Sequence, residues 1–208
     1  MKSESGLTLR HNQFEGERVF LIGSGPSLRS QDLSRLRWEH TCGVNGTHLV
    51  ADEIGLPLPY TFYGIKETSA LNQYGQDAGG ARYKFDMLWS RNLISDPSWF
   101  KVTRVPSMPQ GRFTGDMEGV VATGPSAVYE MLNVMFWLGF QQAYLLGCEE
   151  SGTEKVQGGN SHVSNLESVN RAGATALAAF DKDGRTLVNL SPGAASSGIP
   201  TGSYDSVL

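Results

Sequence analysis

Short runs of apolar residues, each bounded by glycine, proline or polar residues, alternate along this chain with longer stretches of mixed character. Arg18-Val19-Phe20-Leu21-Ile22 is a β-rich run ending in glycines, and the polar segment after it carries Leu28, Leu33 and Leu36 at roughly helical spacing. That pattern predicts a strand, a loop and a helix. Residues 41–45 and 60–65 predict two further strands, and residues 100–105 a fourth, ended by Pro106. Between Lys66 and Trp99 the residues are polar and aromatic without a clean period, and only poorly defined helices are expected there. From Ser107 to Val120, glycines, prolines and mixed charges predict a long loop placed to lie over a site.

The second half is clearer. Pro125 can open a helix whose surface is filled by Val128, Met131, Leu132, Met135, Phe136 and Leu138, and Gly139 can cap it. Residues 143–147 read as a buried strand of the parallel type. An alanine-rich helix over 167–180, a turn at Asp183-Gly184 and a last strand over 186–190 complete the pattern. Alternating strands and helices of this kind predict an α/β, Rossmann-like fold: a mostly parallel sheet with helices on both faces. A single domain over residues 1–208 is expected, with residues 1–15 a loosely ordered extension.

Bulk properties narrow the functional classes. A chain of 208 residues suits one hydrophobic core, and 25 glycines imply many tight loops. With a net charge of -4 and a pI near 5.6, nucleic acid is a disfavoured partner. The N-terminus has no signal-peptide apolar stretch. The longest apolar segment, 127–146, is interrupted by Glu130, Asn133, Gly139, Gln141 and Gln142, so no membrane span and a cytoplasmic location are expected. Cys42 and Cys148 lie in apolar runs with no second thiol or histidine at metal-ligand spacing, which reads as reduced, buried cysteine.

A loop joining a parallel strand to a helix sets backbone N–H groups and a helix N-terminus at the carboxyl edge of the sheet, where an anion such as phosphate is stabilised. In Gly23-Ser24-Gly25-Pro26-Ser27 the glycines allow close backbone approach, and Ser24 or Ser27 can donate side-chain hydrogen bonds. A tight turn with no ligand is the alternative. The dinucleotide fingerprint wants a third small residue where this chain has Leu28, and an acid where the second strand ends in Asn45. Asn45 can donate and accept, which suits a sugar or base edge as well as a local turn.

The run from Gly16 through Leu28, then Asp32-Leu33, Leu36 and Thr41-Cys42-Gly43-Val44-Asn45, resembles the 6-hydroxymethylpterin diphosphokinase MptE-like family. More distantly it is similar to the bacterial CMP-sialic-acid-dependent sialyltransferases and the motility accessory factor glycosyltransferases. The likeness continues in Gly124-Pro125-Ser126-Ala127 through Gly139-Phe140, in Ala143 through Glu149, and in Val188-Asn189-Leu190-Ser191-Pro192-Gly193. The sialyltransferase resemblance implies a nucleotide over the first loop and metal-independent transfer assisted by a histidine base. It also implies that Ser24 replaces the loop's usual asparagine, that Asn45 matches the asparagine after the second strand, and that Thr123-Gly124 matches a nucleotide-contacting Ser-Gly pair. The catalytic side departs, with Glu149 for the aspartate after the late strand, Ser151 for a tyrosine and Leu166 for the histidine in an ungapped alignment.

These readings define the candidates. Gly23, Ser24, Gly25, Pro26, Ser27, Asn45, Thr123 and Gly124 are the nucleotide-binding set. His162 lies in a polar loop between a strand end and the last long helix, where it can act as a general base, or be an exposed loop histidine. Glu149 and Glu150 follow a buried strand at its carboxyl end, where one can hold a ribose or acceptor hydroxyl. His11, His40 and His48 lack such a context. Asp181-Lys182-Asp183 has the form of a metal-binding Asp-x-Asp pair, but it precedes Gly184 and reads as turn chemistry. The expected activity is sugar transfer from a nucleotide-activated, CMP-type donor to an acceptor hydroxyl, with no tightly bound cofactor and no metal. Magnesium-dependent pyrophosphoryl transfer of the pterin type and nucleotide binding without turnover are the alternatives. The acceptor, a glycan or a small molecule, is unspecified, and a homo-oligomer is compatible with the reading.

Overall fold

A computed structural model of the chain describes residues 1–74, 78, 80–88, 93–105, 113, 120–149, 166–192 and 198–208. In chain order these form β1 (Arg18–Ile22), β2 (His40–Val44), β3 (Phe62–Ile65), α1 (Thr68–Tyr74), β4 (Tyr83–Asp86), β5 (Trp99–Lys101), β6 (Thr103–Val105) and β7 (Val120–Ala122). There follow α2 (Ala127–Leu138), β8 (Gln142–Leu146), α3 (Leu166–Lys182) and β9 (Thr186–Asn189).

Seven strands make one all-parallel sheet in the order β5-β4-β3-β2-β1-β8-β9, and β6 and β7 pair separately. The expected Rossmann-like α/β fold is what forms. Successive residues of β1 serve opposite faces. Val19 and Leu21 join a core with Leu145, Met131, Leu132 and Phe180, whereas Phe20 and Ile22 join one with Leu28, Leu33 and Leu36. A strand buried on both sides needs the continuous apolar run that the sequence carries. In α3 the buried residues Ala172, Ala176 and Phe180 recur every fourth position, so one helical stripe faces the sheet.

Several expectations are corrected. The helix after β1 is two 3₁₀ turns, Pro26–Ser30 and Leu33–Trp38, divided where the Asp32 carboxylate accepts from the N–H (3.3 Å) and Oγ (2.5 Å) of Ser34. A short polar side chain that bonds nearby backbone competes with a continuous α-helix. The strand expected over 100–105 is β5 and β6, parted at Val102, whose N–H donates to Asp86 O at 2.9 Å. Strand β4 forms where only helices were expected, and β7 begins where the long loop was expected to end. Within residues 1–15, Leu9 and Phe14 are buried, and the Met1 ammonium donates to Leu9 O at 2.7 Å. Ser126, rather than Pro125, caps α2 by accepting from Tyr129 N–H, and Gly139 closes it with a φ of 95°.

Helix α2 lies close over β3 at Gly64, where a Cβ would overlap Met131 Sδ and lie 2.8 Å from Met87 Cε. Gly64→Ala is therefore expected to destabilise the fold by about 1–3 kcal/mol, the usual range for overpacking. Urea unfolding at neutral pH measures it, and a change below about 0.5 kcal/mol would show that this contact is loose.

Candidate functional site

Strand β1 has β2 on one side and β8 on the other, so the strand order reverses there and the chain leaves in opposite directions around a crevice at the carboxyl edge. The ladder between β1 and β8 runs on past both strands, with Gly23 N–H donating to Leu146 O at 2.7 Å and Gly25 N–H to Gly147 O at 2.8 Å. A Cβ on Gly23 would overlap Gly147 O, and one on Gly25 would overlap the Glu149 carboxylate. These two glycines thus permit close approach of the protein's own groups.

Glu149 fills the position expected for a phosphate. Its carboxylate accepts from Ser27 N–H at 2.6 Å and from Ser27 Oγ at 2.7 Å, beside Gly25 and Pro26. The residues around it are fixed from β9. Cys148 N–H donates to Ser191 Oγ at 2.8 Å, Asn189 Nδ2 donates to Cys148 O at 3.3 Å, and Asn189 Oδ1 accepts from Ser191 N–H at 3.0 Å. The donors of Gly23, Gly25 and Ser27 are thus engaged within the protein. Ser24 differs: it is half-buried and its hydroxyl has no hydrogen bond among the described residues.

Asn45 stands two residues past Gly43, and Ser24 two past Ile22, the pair that closes the β1–β2 ladder. Both therefore leave adjacent strands at one level of the carboxyl edge. Asn45 holds a left-handed φ of 49°, a conformation Asn tolerates better than most residues. Its carbonyl accepts from the Tyr63 hydroxyl and from His48 Nδ1, and its Oδ1 accepts from Lys66 N–H at 3.4 Å. With Oδ1 so engaged, the NH₂ group is the unpartnered end of the amide among the described residues.

Thr123 and Gly124 follow β7 and meet the main sheet through Lys66. The Lys66 ammonium donates to Gly124 O at 2.7 Å and lies 3.3 Å from Glu130 Oε1. The same Oε1 accepts from Gly124 N–H at 3.2 Å and from Arg104 Nη2 at 2.8 Å. Glu130 is wholly buried near the N-terminus of α2, where the helix dipole favours its charge. Burial holds the Lys66 pKa below the usual lysine value, an effect that Glu130 opposes. The backbone N–H and carbonyl of Gly124 are both taken by this cluster, and a Cβ there would overlap the Tyr129 ring. Lys66, Arg104 and Glu130 were not among the residues singled out from sequence.

Other candidates fall elsewhere. His162, Glu150 and Ser151 lie outside the described residues. His40 bonds Glu17 at 2.6 Å and His11 faces Trp137, both toward the amino edge of the sheet, whereas His48 is buried against Tyr63. Asp181 and Lys182 end α3, and Asp183 pairs with Arg185 at 3.4 Å before β9, again at the amino edge. Cys42 is buried, Cys148 is half-buried, and both are free thiols. Among the described residues no group of three His, Cys, Asp or Glu is placed to hold a metal ion, and no helix is long and apolar enough to cross a membrane.

A parallel sheet that reverses its order at β1, with polar side chains gathered at the carboxyl edge of the reversal, defines a Rossmann-like α/β protein, and this edge is where that fold in general binds ligands. Its fold is similar to that of the sialyltransferase CstII from Campylobacter jejuni, solved in complex with a substrate analogue, cytidine-5'-monophosphate. The likeness has a TM-score of 0.52 at 13% identity and covers 90% of this chain and 85% of that one. No protein-family model matches the chain, and no curated protein matches it by sequence. The fold likeness is therefore to a sialyltransferase, and membership of the pterin diphosphokinase family is not shown.

Tyr129, whose ring packs on Gly124, buries its hydroxyl with no hydrogen-bond partner among the described residues, and burial pushes its pKa up to about 12. An unsatisfied buried hydroxyl costs about 1–3 kcal/mol, so Tyr129→Phe is expected to leave stability at pH 7 unchanged or raise it. A raised folded pKa contributes stability that is complete below the unfolded value near 10 and lost as pH rises through about 12. The variant should accordingly lose less stability than the parent between pH 9 and about 11.5, as followed by urea midpoints. A drop of more than about 1 kcal/mol at pH 7 would mean that the hydroxyl has a partner.

Proposed function

We propose that the protein is a glycosyltransferase-like enzyme that binds a nucleotide-activated sugar, of the CMP-linked type, at the carboxyl edge of β1, β2 and β8, and transfers the sugar to an acceptor hydroxyl. The observation that carries this reading is the pairing of Ser24 and Asn45. Two half-buried side chains, with donors unengaged among the described residues, stand at one level just past adjacent strands, beside the switch point, in a fold similar to that of a sialyltransferase solved with CMP. The Asn45 NH₂ suits a carbonyl or ring nitrogen of the base, and the Ser24 hydroxyl suits the ribose or a phosphate oxygen.

In this reading the acceptor oxygen attacks the anomeric carbon, the bond from that carbon to the phosphate oxygen breaks, and the nucleoside monophosphate departs with the bonding pair. The acceptor's proton passes to a base. His162 is assigned that role because it lies in the segment between β8, whose end forms the site, and α3. Glu149 is assigned a supporting role, since its carboxylate is already held by two donors from Ser27. Transfer is metal-independent, as the sialyltransferase resemblance implies.

A thermal-shift panel of CMP, UMP, AMP, GMP and ATP tests the binding. CMP at about 100 times its dissociation constant should add about 2.7 kcal/mol, or roughly 5–10 °C for a domain of this size, with or without chelator. Stabilisation by none of them overturns the reading, and magnesium-dependent release of AMP from ATP favours pyrophosphoryl transfer instead.

Two substitutions refine the assignment. Asn45→Asp keeps the oxygen that accepts from Lys66 N–H but removes the NH₂ donors, so CMP affinity should fall about three- to thirtyfold while the free protein stays folded. Asn45→Ala is a poorer choice, because it also removes the side chain that supports a left-handed φ. His162→Ala should lower turnover of a CMP-sugar about a hundredfold or more with little change in CMP affinity, and unchanged turnover removes His162 from the mechanism.

A further inference from the structure

Lys66 touches both flanks of the proposed nucleotide site. Its backbone N–H holds Asn45 Oδ1, and its ammonium holds Gly124 O at 2.7 Å while lying 3.3 Å from Glu130 Oε1. The far end of this connection is rigid, because Glu130 is wholly buried and also takes Arg104 Nη2 and Gly124 N–H. Burying a lysine, an arginine and a glutamate together is not an economical way to hold a turn. Apolar residues of the same volume are often as stabilising or more so, whereas a charge network fixes geometry. What this network fixes is the separation of Asn45, just past β2, from the Thr123-Gly124 turn after β7.

We propose that Lys66 is a positioning residue for the nucleotide, setting the width of the site between Asn45 and the Thr123-Gly124 turn and orienting the Asn45 amide so that its NH₂ group faces the ligand. The inference rests on the nucleotide reading above and deepens it. The ligand chemistry it implies is a nucleobase edge presenting acceptors to Asn45, held against the peptide surface of Gly124, where a side chain on residue 124 would be excluded by Tyr129.

The test compares Lys66→Met with the parent. The substitution keeps the backbone N–H and most of the volume, and it leaves Arg104 and Glu130 as a charge-balanced pair, so the fold should persist. Two readouts are needed: calorimetric affinity for CMP per folded molecule, and hydrogen exchange of the Gly124 amide in the free protein. CMP affinity is expected to fall at least tenfold, and the Gly124 amide to exchange at least tenfold faster. Combined with Asn45→Asp, the two losses should be less than multiplicative, because Asn45→Asp removes the NH₂ contact with the ligand whose spacing Lys66 sets.

A lowered melting temperature with CMP affinity within twofold of the parent would make Lys66 merely structural and overturn the proposal, as would unchanged exchange at Gly124. If Lys66→Met does not fold, Lys66→Gln takes its place with the same criteria. Should Asn45→Asp weaken CMP binding while the Lys66 variant does not, the nucleotide reading survives and the positioning role fails. Should the parent bind no nucleotide, both fail, and faster exchange at Gly124 would then report only a turn anchor.

Discussion

The parallel ladder between β1 and β8, extended beyond both strands by bonds from Gly23 to Leu146 and from Gly25 to Gly147, is the contact on which the carboxyl edge is built. Ordinarily two neighbouring parallel strands diverge where the strand order reverses, and the crevice opens at once. Here glycine lets the two backbones stay together for a further step, to Gly25 on one side and Gly147 on the other. Adding a Cβ at Gly23 or Gly25 would push against Gly147 O or the Glu149 carboxylate. The two exits could then not keep their spacing, and β9 would lose its hold on Cys148 through Asn189 and Ser191.

Two carboxylates hold the edge together from opposite sides, and their environments differ. Glu130 is buried without solvent access and gathers a lysine, an arginine and a backbone N–H on one oxygen. Glu149 is half-buried and takes its donors from the turn after β1. Each satisfies N–H groups that would otherwise be open at loop ends, and leaving such groups unpaired in a buried place costs more than a bond gains. Glu130 is sealed from solvent, and both oxygens of Glu149 are already bound to Ser27. That is the reason for assigning the base to the segment after β8 rather than to Glu149 itself.

Much of the sheet was legible because a doubly covered parallel strand leaves an unbroken apolar run, as in β1, and because Gly139 marks a helix end. Strand β4 was not legible. In Tyr83-Lys84-Phe85-Asp86 the polar positions are neutralised by tertiary partners, Lys84 by Asp96 and Asp86 by Lys101, which no local pattern reveals. The same holds for the site. Ser24, Asn45 and Glu149 announced themselves as polar residues just past apolar strands, whereas Glu130 read only as an interruption in an apolar segment. A carboxylate buried inside an otherwise apolar helix needs a cation beside it, but nothing in the local sequence says that Lys66 and Arg104 supply it.

Gly23 and Gly25 were read as making room for a phosphate and Gly124 as part of a nucleotide-contacting pair, and the structure gives each of them an internal reason: Gly147 O for Gly23, the Glu149 carboxylate for Gly25 and the Tyr129 ring for Gly124. A Gly-rich turn after a parallel strand thus has two physical uses that a sequence pattern cannot separate, approach of a ligand and approach of the protein to itself. Where the protein supplies its own carboxylate to the turn, an incoming anion meets a site already satisfied, and placing a second negative charge beside Glu149 would be repulsive. On the proposed reading, affinity then rests on the neutral donors of Ser24 and Asn45, each worth about 0.5–1.5 kcal/mol, and on stacking and burial of the base. Recognition of that kind discriminates among bases by the pattern of their acceptors, and it depends on salt far less than a cradle of backbone N–H groups around a phosphate would.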